Sequence, residues 1–204
     1  VTDHLSAWLA VRDSVAWQDF PADDAPVEPR RDGAAHDIET FDRPRDPARA
    51  DRLLTALALV RATRGPLTVE RLSAWQSLVL GSSRAPFRGG PAYAKSGAER
   101  YDGGPEAPDR FRACLAESAE PGVAVAARAA RVYLDVCFFH PFADGNARSA
   151  FLAWVFVLAA AGIAVDAVGP VRRPLWYADD PADAMALTRV TATLIAATRR
   201  RAVG

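Results

Sequence analysis

From Ser149 to Val165 the chain carries no charged residue. A helix that is apolar all round is stable only when other elements surround it, so this run marks the centre of the fold. Trp154 and Phe156, two apart, point to different faces and can both be buried only in such a setting. The run is short for a bilayer and is broken by Gly162, which favours a central core helix over Ser149–Ala161 that is the most buried of the chain. Upstream, Ala124 to Phe139 repeats apolar residues at helical spacing (Val125, Ala129, Val132, Tyr133, Val136, Phe139). Pro141 must stop that helix, because it offers no N–H to the ladder.

Between the two runs lies His140-Pro-Phe-Ala-Asp-Gly-Asn-Ala-Arg148, a polar, glycine-bearing stretch that reads as an active-site loop. It delivers Gly145, Asn146 and Ala147 to a new helix N-terminus, where unpaired N–H groups and the positive dipole end favour an anion. Arg148 in the first helical turn opposes the dipole unless an anion arrives beside it, and phosphate fits that description. Asp144 is a hard oxygen ligand next to the same nest and suits Mg²⁺, which takes one or two carboxylates together with phosphate oxygens. His140, whose ordinary pKa lies nearest neutrality, is left as the base for an attacking hydroxyl.

These nine residues resemble the Fic motif, H-x-F-x-(D/E)-G-N-(G/K/A)-R, in the helix–loop–helix setting that family requires. The resemblance implies an all-α, Fic-like helical bundle with a short β-hairpin flap before the motif helix pair. It implies a transferase that moves a nucleotidyl group, most often AMP from ATP, onto a hydroxyl of a protein or peptide, assisted by Mg²⁺. Carried over by resemblance, His140 deprotonates the acceptor, Asp144 holds the metal, Gly145 and Asn146 form the anion hole, and Ala147 and Arg148 complete the donor site. Phe142 is the motif's apolar anchor. Tyr93 and Lys95 on the flap are expected to contact donor or target. Two departures bear on the donor. Ala147 stands where many members have glycine, a mild change in a helix. Phe151 stands where ATP-using members commonly carry a second arginine for the terminal phosphate. Lys95, the only lysine, is a candidate to replace that charge. The alternatives are phosphoryl or phosphocholine-type transfer from another donor, such as a diphosphate compound, or a catalytically silent nucleotide- or protein-binding module. The inhibitory sequence S/T-x-x-x-E-(G/N) of some members is not found.

The 204 residues suit one domain, 1–204, with an N-terminal helix and long surface loop over 1–47 and a core over 48–204. With 25 basic and 25 acidic residues there is no basic excess of the kind that marks a nucleic-acid partner. No secretory pattern opens the chain, so cytoplasm is the expected compartment, without a membrane partner. Cys114 and Cys137 lack metal or redox spacing and read as buried thiols. A second enzymatic reading would make Cys137 a nucleophile with His140 as its base, since residues three apart on a helix can meet.

Elsewhere, Thr2-Asp3 caps a first helix through about Trp17, with Leu5, Trp8, Leu9, Val15 and Ala16 inward. Phe20 to Pro47 lacks periodicity and reads as surface loop, with His36 solvated. A helix follows over Arg49–Thr63, and Thr68 caps another whose Leu72, Trp75, Leu78 and Val79 pack beneath the motif. Phe87 to Tyr101 alternates large residues around Ser96-Gly97, the pattern of a hairpin. Asp109 starts a helix to about Ser118, and Asp180-Pro181 opens the last one, toward Arg201.

Overall fold

The computed structural model describes residues 2–203. Its core is a pair of helices, α6 (Val125–Phe139) and α7 (Asn146–Ala160), which form the most extensive pairing in the molecule. Around them lie α1 (His4–Ser14), α3 (Pro47–Ala62), α4 (Val69–Leu80), α5 (Ala107–Ala116) and α9 (Pro181–Val203). Two short helices, α2 (Gly33–Asp37) and α8 (Gly169–Arg172), close the surface. Helices α9, α1 and α5 pack on α6, whereas α3 and α4 pair with each other and cover α7. The fold is all-α apart from one two-stranded hairpin.

Every residue of α7 from Ser149 to Leu158 is buried, Trp154 and Phe156 included, as a helix apolar on all faces demands. Burying side chains of the size of Phe139, Phe151 and Trp154 contributes about 1.5–3 kcal/mol each. α6 is buried even more completely than α7, contrary to the sequence expectation. Its polar residues are hidden by pairing. Asp135 is wholly buried and accepts from Trp8 Nε1 (2.9 Å) and Arg12 Nε (2.8 Å), which fastens α1 across it.

Three further details differ from the sequence expectation. α1 ends at Ser14, leaving Ala16 exposed, while Trp17 turns inward and donates to the Arg12 carbonyl (2.9 Å). The stretch 20–47 is not all loop: Asp32 caps α2 by accepting from Ala34 and Ala35, and the chain continues through a π turn, Ile38–Asp42. Within α2 and the π turn only Ala34 and Ile38 are buried apolar side chains, one turn apart, too little repetition for a periodic signal. Leu78 lies on the outer face of α4 and is exposed; Gln76 takes the buried place.

The hairpin forms where the alternation and the Ser96-Gly97 turn put it. β1 (Ala92–Ala94) pairs antiparallel with β2 (Glu99–Tyr101), in the register Ala92↔Tyr101, Tyr93↔Arg100 and Ala94↔Glu99. Lys95, Ser96 and Gly97 turn the chain with positive φ. No helix among the described residues is long and apolar enough to cross a membrane.

Candidate active site

The loop between α6 and α7 is folded by its own side chains. Phe142 is buried as its anchor, and the buried Asn146 side chain forms a pair of hydrogen bonds with its backbone. Asn146 Oδ1 accepts from the Phe142 N–H (2.9 Å), and Nδ2 donates to the Phe142 carbonyl (2.8 Å). Asn146 therefore gives its side chain to the loop and its N–H to the helix start. Gly145 caps α7 in the left-handed region (φ 75°). A Cβ there would lie 2.5 Å from Gln76 Nε2 and 3.0 Å from an Arg148 nitrogen, so both conformation and space demand glycine.

At the opening turn of α7, Arg148 and Ser149 donate to the Gly145 carbonyl, while the Asn146 and Ala147 N–H groups precede the first rung of the ladder. Arg148 is the cation beside them. Its Nε is buried without an acceptor, and its nearest carboxylate, Asp144, is 3.5 Å away. Burial pulls the Arg148 guanidinium below its ordinary pKa, and Arg49 and Arg172 act in the same sense. A half-buried cation held by one loose partner favours an arriving anion.

His140 ends α6 in the left-handed region (φ 49°). Its Nδ1 lies 2.9 Å from the Cys137 carbonyl oxygen. Only a protonated nitrogen can donate there, so Nδ1 carries the hydrogen and Nε2 is left to accept a proton. Burial lowers the pKa of the imidazole, with Arg88 adding to the effect and the Cys137 carbonyl and Glu99 opposing it. The base form is therefore the resting form at neutral pH.

Together Tyr93, His140 and Ala143 to Arg148 line a cleft of about 350 Å³. The loop residues named from the sequence thus meet in one place, with Phe142 buried behind them. Tyr93 is exposed on the flap side. Lys95 does not line the cleft: its Nζ donates to Glu99 Oε1 (2.6 Å) and lies near the Tyr177 ring. Phe151 is fully buried, with the Arg172 guanidinium stacked 4.5 Å from its ring centre, and Arg172 is itself paired with Asp37 and Asp42. The thiol reading fails on geometry. Burial pushes both Cys114 and Cys137 up to about 12, and His140 engages the carbonyl of Cys137, not its sulfur. A separate apolar cavity of about 270 Å³ beside the C-terminal end of α7 contains none of the motif residues.

As a metal ligand Asp144 stands alone, because no cluster of three histidine, cysteine or carboxylate side chains occurs among the described residues. Its exposed carboxylate accepts from the Gly145 N–H (2.6 Å) and faces Arg148 at 3.5 Å, and an ion held there would draw its other ligands from donor phosphate and water.

Three residues escaped the sequence reading. Gln76 donates to the Asp144 carbonyl (2.5 Å), supporting the loop from α4. Its signal was its place on the stripe Leu72, Trp75, Gln76, Val79, where a polar residue must be buried. Arg88 ties hairpin to loop: its N–H donates to the Pro141 carbonyl (2.8 Å), Nε to the Phe139 carbonyl (3.2 Å) and a terminal nitrogen to the Asp102 carbonyl (2.9 Å). Nothing local announces it. Tyr101, from β2, stacks on the His140 ring with centroids 4.5 Å apart and planes 16° apart.

The model of the Fic/DOC family matches residues 66–158. No curated protein and no solved structure matches the chain. The matched segment begins just before α4 and ends within α7. The segment that is similar to the Fic/DOC family thus holds the hairpin, α6 and the His140–Arg148 loop.

Proposed function

We propose that the protein is a Fic-type transferase that moves a nucleotidyl group, AMP or another nucleoside monophosphate, from a nucleotide donor to a hydroxyl of a protein or peptide. The observation that carries this reading is the pairing, in one loop, of a neutral imidazole whose Nδ1 is engaged with a helix N-terminus beside which Arg148 keeps a buried Nε without an acceptor. His140 Nε2 takes the proton of the acceptor hydroxyl as its oxygen bonds to the donor phosphorus. The bond from phosphorus to the leaving phosphate oxygen breaks, and the electron pair departs with that oxygen. The Asn146 and Ala147 N–H groups and Arg148 hold the phosphate charge throughout, which is electrostatic stabilisation by groups already in place. Asp144 is the residue that would hold Mg²⁺, whose chemistry here is to neutralise donor phosphate charge.

A second reading changes the donor. Phe151 is covered by Arg172, whose charge is met by Asp37 and Asp42, so the residues beyond Arg148 offer little to a third phosphate. This favours a diphosphate-type donor over a triphosphate, and with it transfer of another phosphate-containing group.

The test is a panel of nucleoside tri- and diphosphate donors with Mg²⁺, read by thermal shift and then by mass analysis of candidate acceptors. His140→Ala should lower transfer about 10²- to 10⁴-fold with donor binding retained, the usual worth of a general base. Asp144→Ala should remove the Mg²⁺-dependent part of donor affinity. Near-normal turnover of His140→Ala would overturn the assigned role.

A further inference from the structure

Arg88 reaches the carbonyls of Gly90 before β1 and Asp102 after β2, but it is the second strand that also lays a ring, Tyr101, on His140. Asp102 and Gly103, just after β2, donate to the Asp3 carboxylate (2.9 and 3.2 Å), and Arg88 joins the Asp102 carbonyl to the end of α6. Tyr93 on β1 is left exposed at the cleft. Within β2, Glu99 and Tyr101 share a face, being two apart. The Tyr101 hydroxyl donates to Glu99 Oε2 (2.6 Å), while Glu99 Oε1 accepts from Lys95. Burial, reinforced by Glu99, raises the Tyr101 pKa, so the hydroxyl stays a donor. Beyond the helical ladder and left-handed, the His140 ring is held by two contacts, the Cys137 carbonyl and the face of Tyr101.

We propose that Tyr101 is a positioning residue for His140, its buried ring fixing the imidazole plane while Glu99 fixes Tyr101. The proposal rests on the reading of His140 as the base. One face of the imidazole is covered and Nδ1 is engaged, so an acceptor hydroxyl can reach only Nε2. β2 then belongs to the base assembly, and β1 is left for the partner. The charged groups around the pair are Arg88 before the hairpin, Glu99 on β2 and Lys95 in the turn, with His4 of α1 on the Tyr101 ring (5.6 Å).

The test compares Tyr101→Phe with Tyr101→Leu and, should the leucine variant fail to fold, Tyr101→Met. Phenylalanine keeps the stack and should stay within about threefold of wild type in kcat. The non-aromatic variants should lose about 10- to 100-fold in kcat with KM for the donor unchanged, the scale expected for a displaced catalytic group. Independently of transfer, the ¹⁵N resonances of His140, identified by loss in His140→Gln, should keep their Nδ1–H tautomer and titration in Tyr101→Phe. In the non-aromatic variants the titration should move upward and the tautomer should become mixed. Unchanged His140 resonances in Tyr101→Leu or Tyr101→Met would overturn the proposal, as would a phenylalanine variant as impaired as those two. If wild type transfers nothing yet the resonances follow the ring, the transferase reading falls and the positioning stands.

Discussion

Replacing Asn146 by alanine removes both side-chain bonds that close the loop, and the structure sets the size of the effect. The Phe142 N–H and carbonyl, bonded at 2.9 and 2.8 Å, would be left in a buried site without partners. A buried group left unpaired costs about 1–3 kcal/mol, so two cost about 2–6 kcal/mol if the loop holds its shape. The exposed neighbours Ala143 and Asp144 give water a way in. The lower half of that range, about 2–4 kcal/mol, is therefore expected. Urea unfolding would register the loss as a lower midpoint at unchanged slope, and hydrogen exchange would show the Phe142 amide losing protection. Phosphate affinity should fall with it, since the Asn146 and Ala147 N–H groups are aimed by the same closure. A variant within about 0.5 kcal/mol of wild type, the range of inert surface changes, and with unchanged Phe142 exchange, would refute the reasoning.

Because burial lowers the His140 pKa, the imidazole is neutral above that value; transfer should rise with pH, with a midpoint below about 6.5, and level off by neutrality. The same shift is a stability term: the unfolded chain binds a proton that the folded site resists, so stability present above the unfolded pKa is lost as pH falls through it. His140→Gln should therefore lose less stability than wild type between neutral and mildly acid pH in denaturant titrations. Lys95→Ala breaks a half-exposed ion pair with Glu99 and should change stability by no more than about 1 kcal/mol, leaving donor affinities unchanged; a selective loss of triphosphate binding would return Lys95 to the donor site. Both cysteines, raised to about 12 by burial, should label slowly in the native protein and quickly in urea; rapid native labelling of Cys137 would contradict its placement.

What could be read from the sequence was whatever is encoded locally. Helical periodicity and Pro141 placed α6, the loop and α7, and alternation around Ser96-Gly97 placed the hairpin. The Fic-like motif then named the residues that line the cleft. What could not be read reaches the loop from far along the chain. Gln76 meets Asp144 across 68 positions, Arg88 meets Phe139 across 51, and Asp3 meets Asp102 across 99. A long-range hydrogen bond leaves no periodic trace; at most it leaves a polar residue in an apolar stripe, as Gln76 does. Position 151 shows the same limit from the other side. Its phenylalanine was visible as a departure, but the sequence pointed to nearby Lys95 as compensation, whereas the fold brings Arg172 to it, from α8. Arg172 does not restore a free cation, because Asp37 and Asp42, contributed by the stretch that looked like loop, neutralise it. The cation that remains in the cleft is Arg148, held only loosely by Asp144, so the preference among donors should turn on that one guanidinium, the helix N-terminus and whatever ion Asp144 holds.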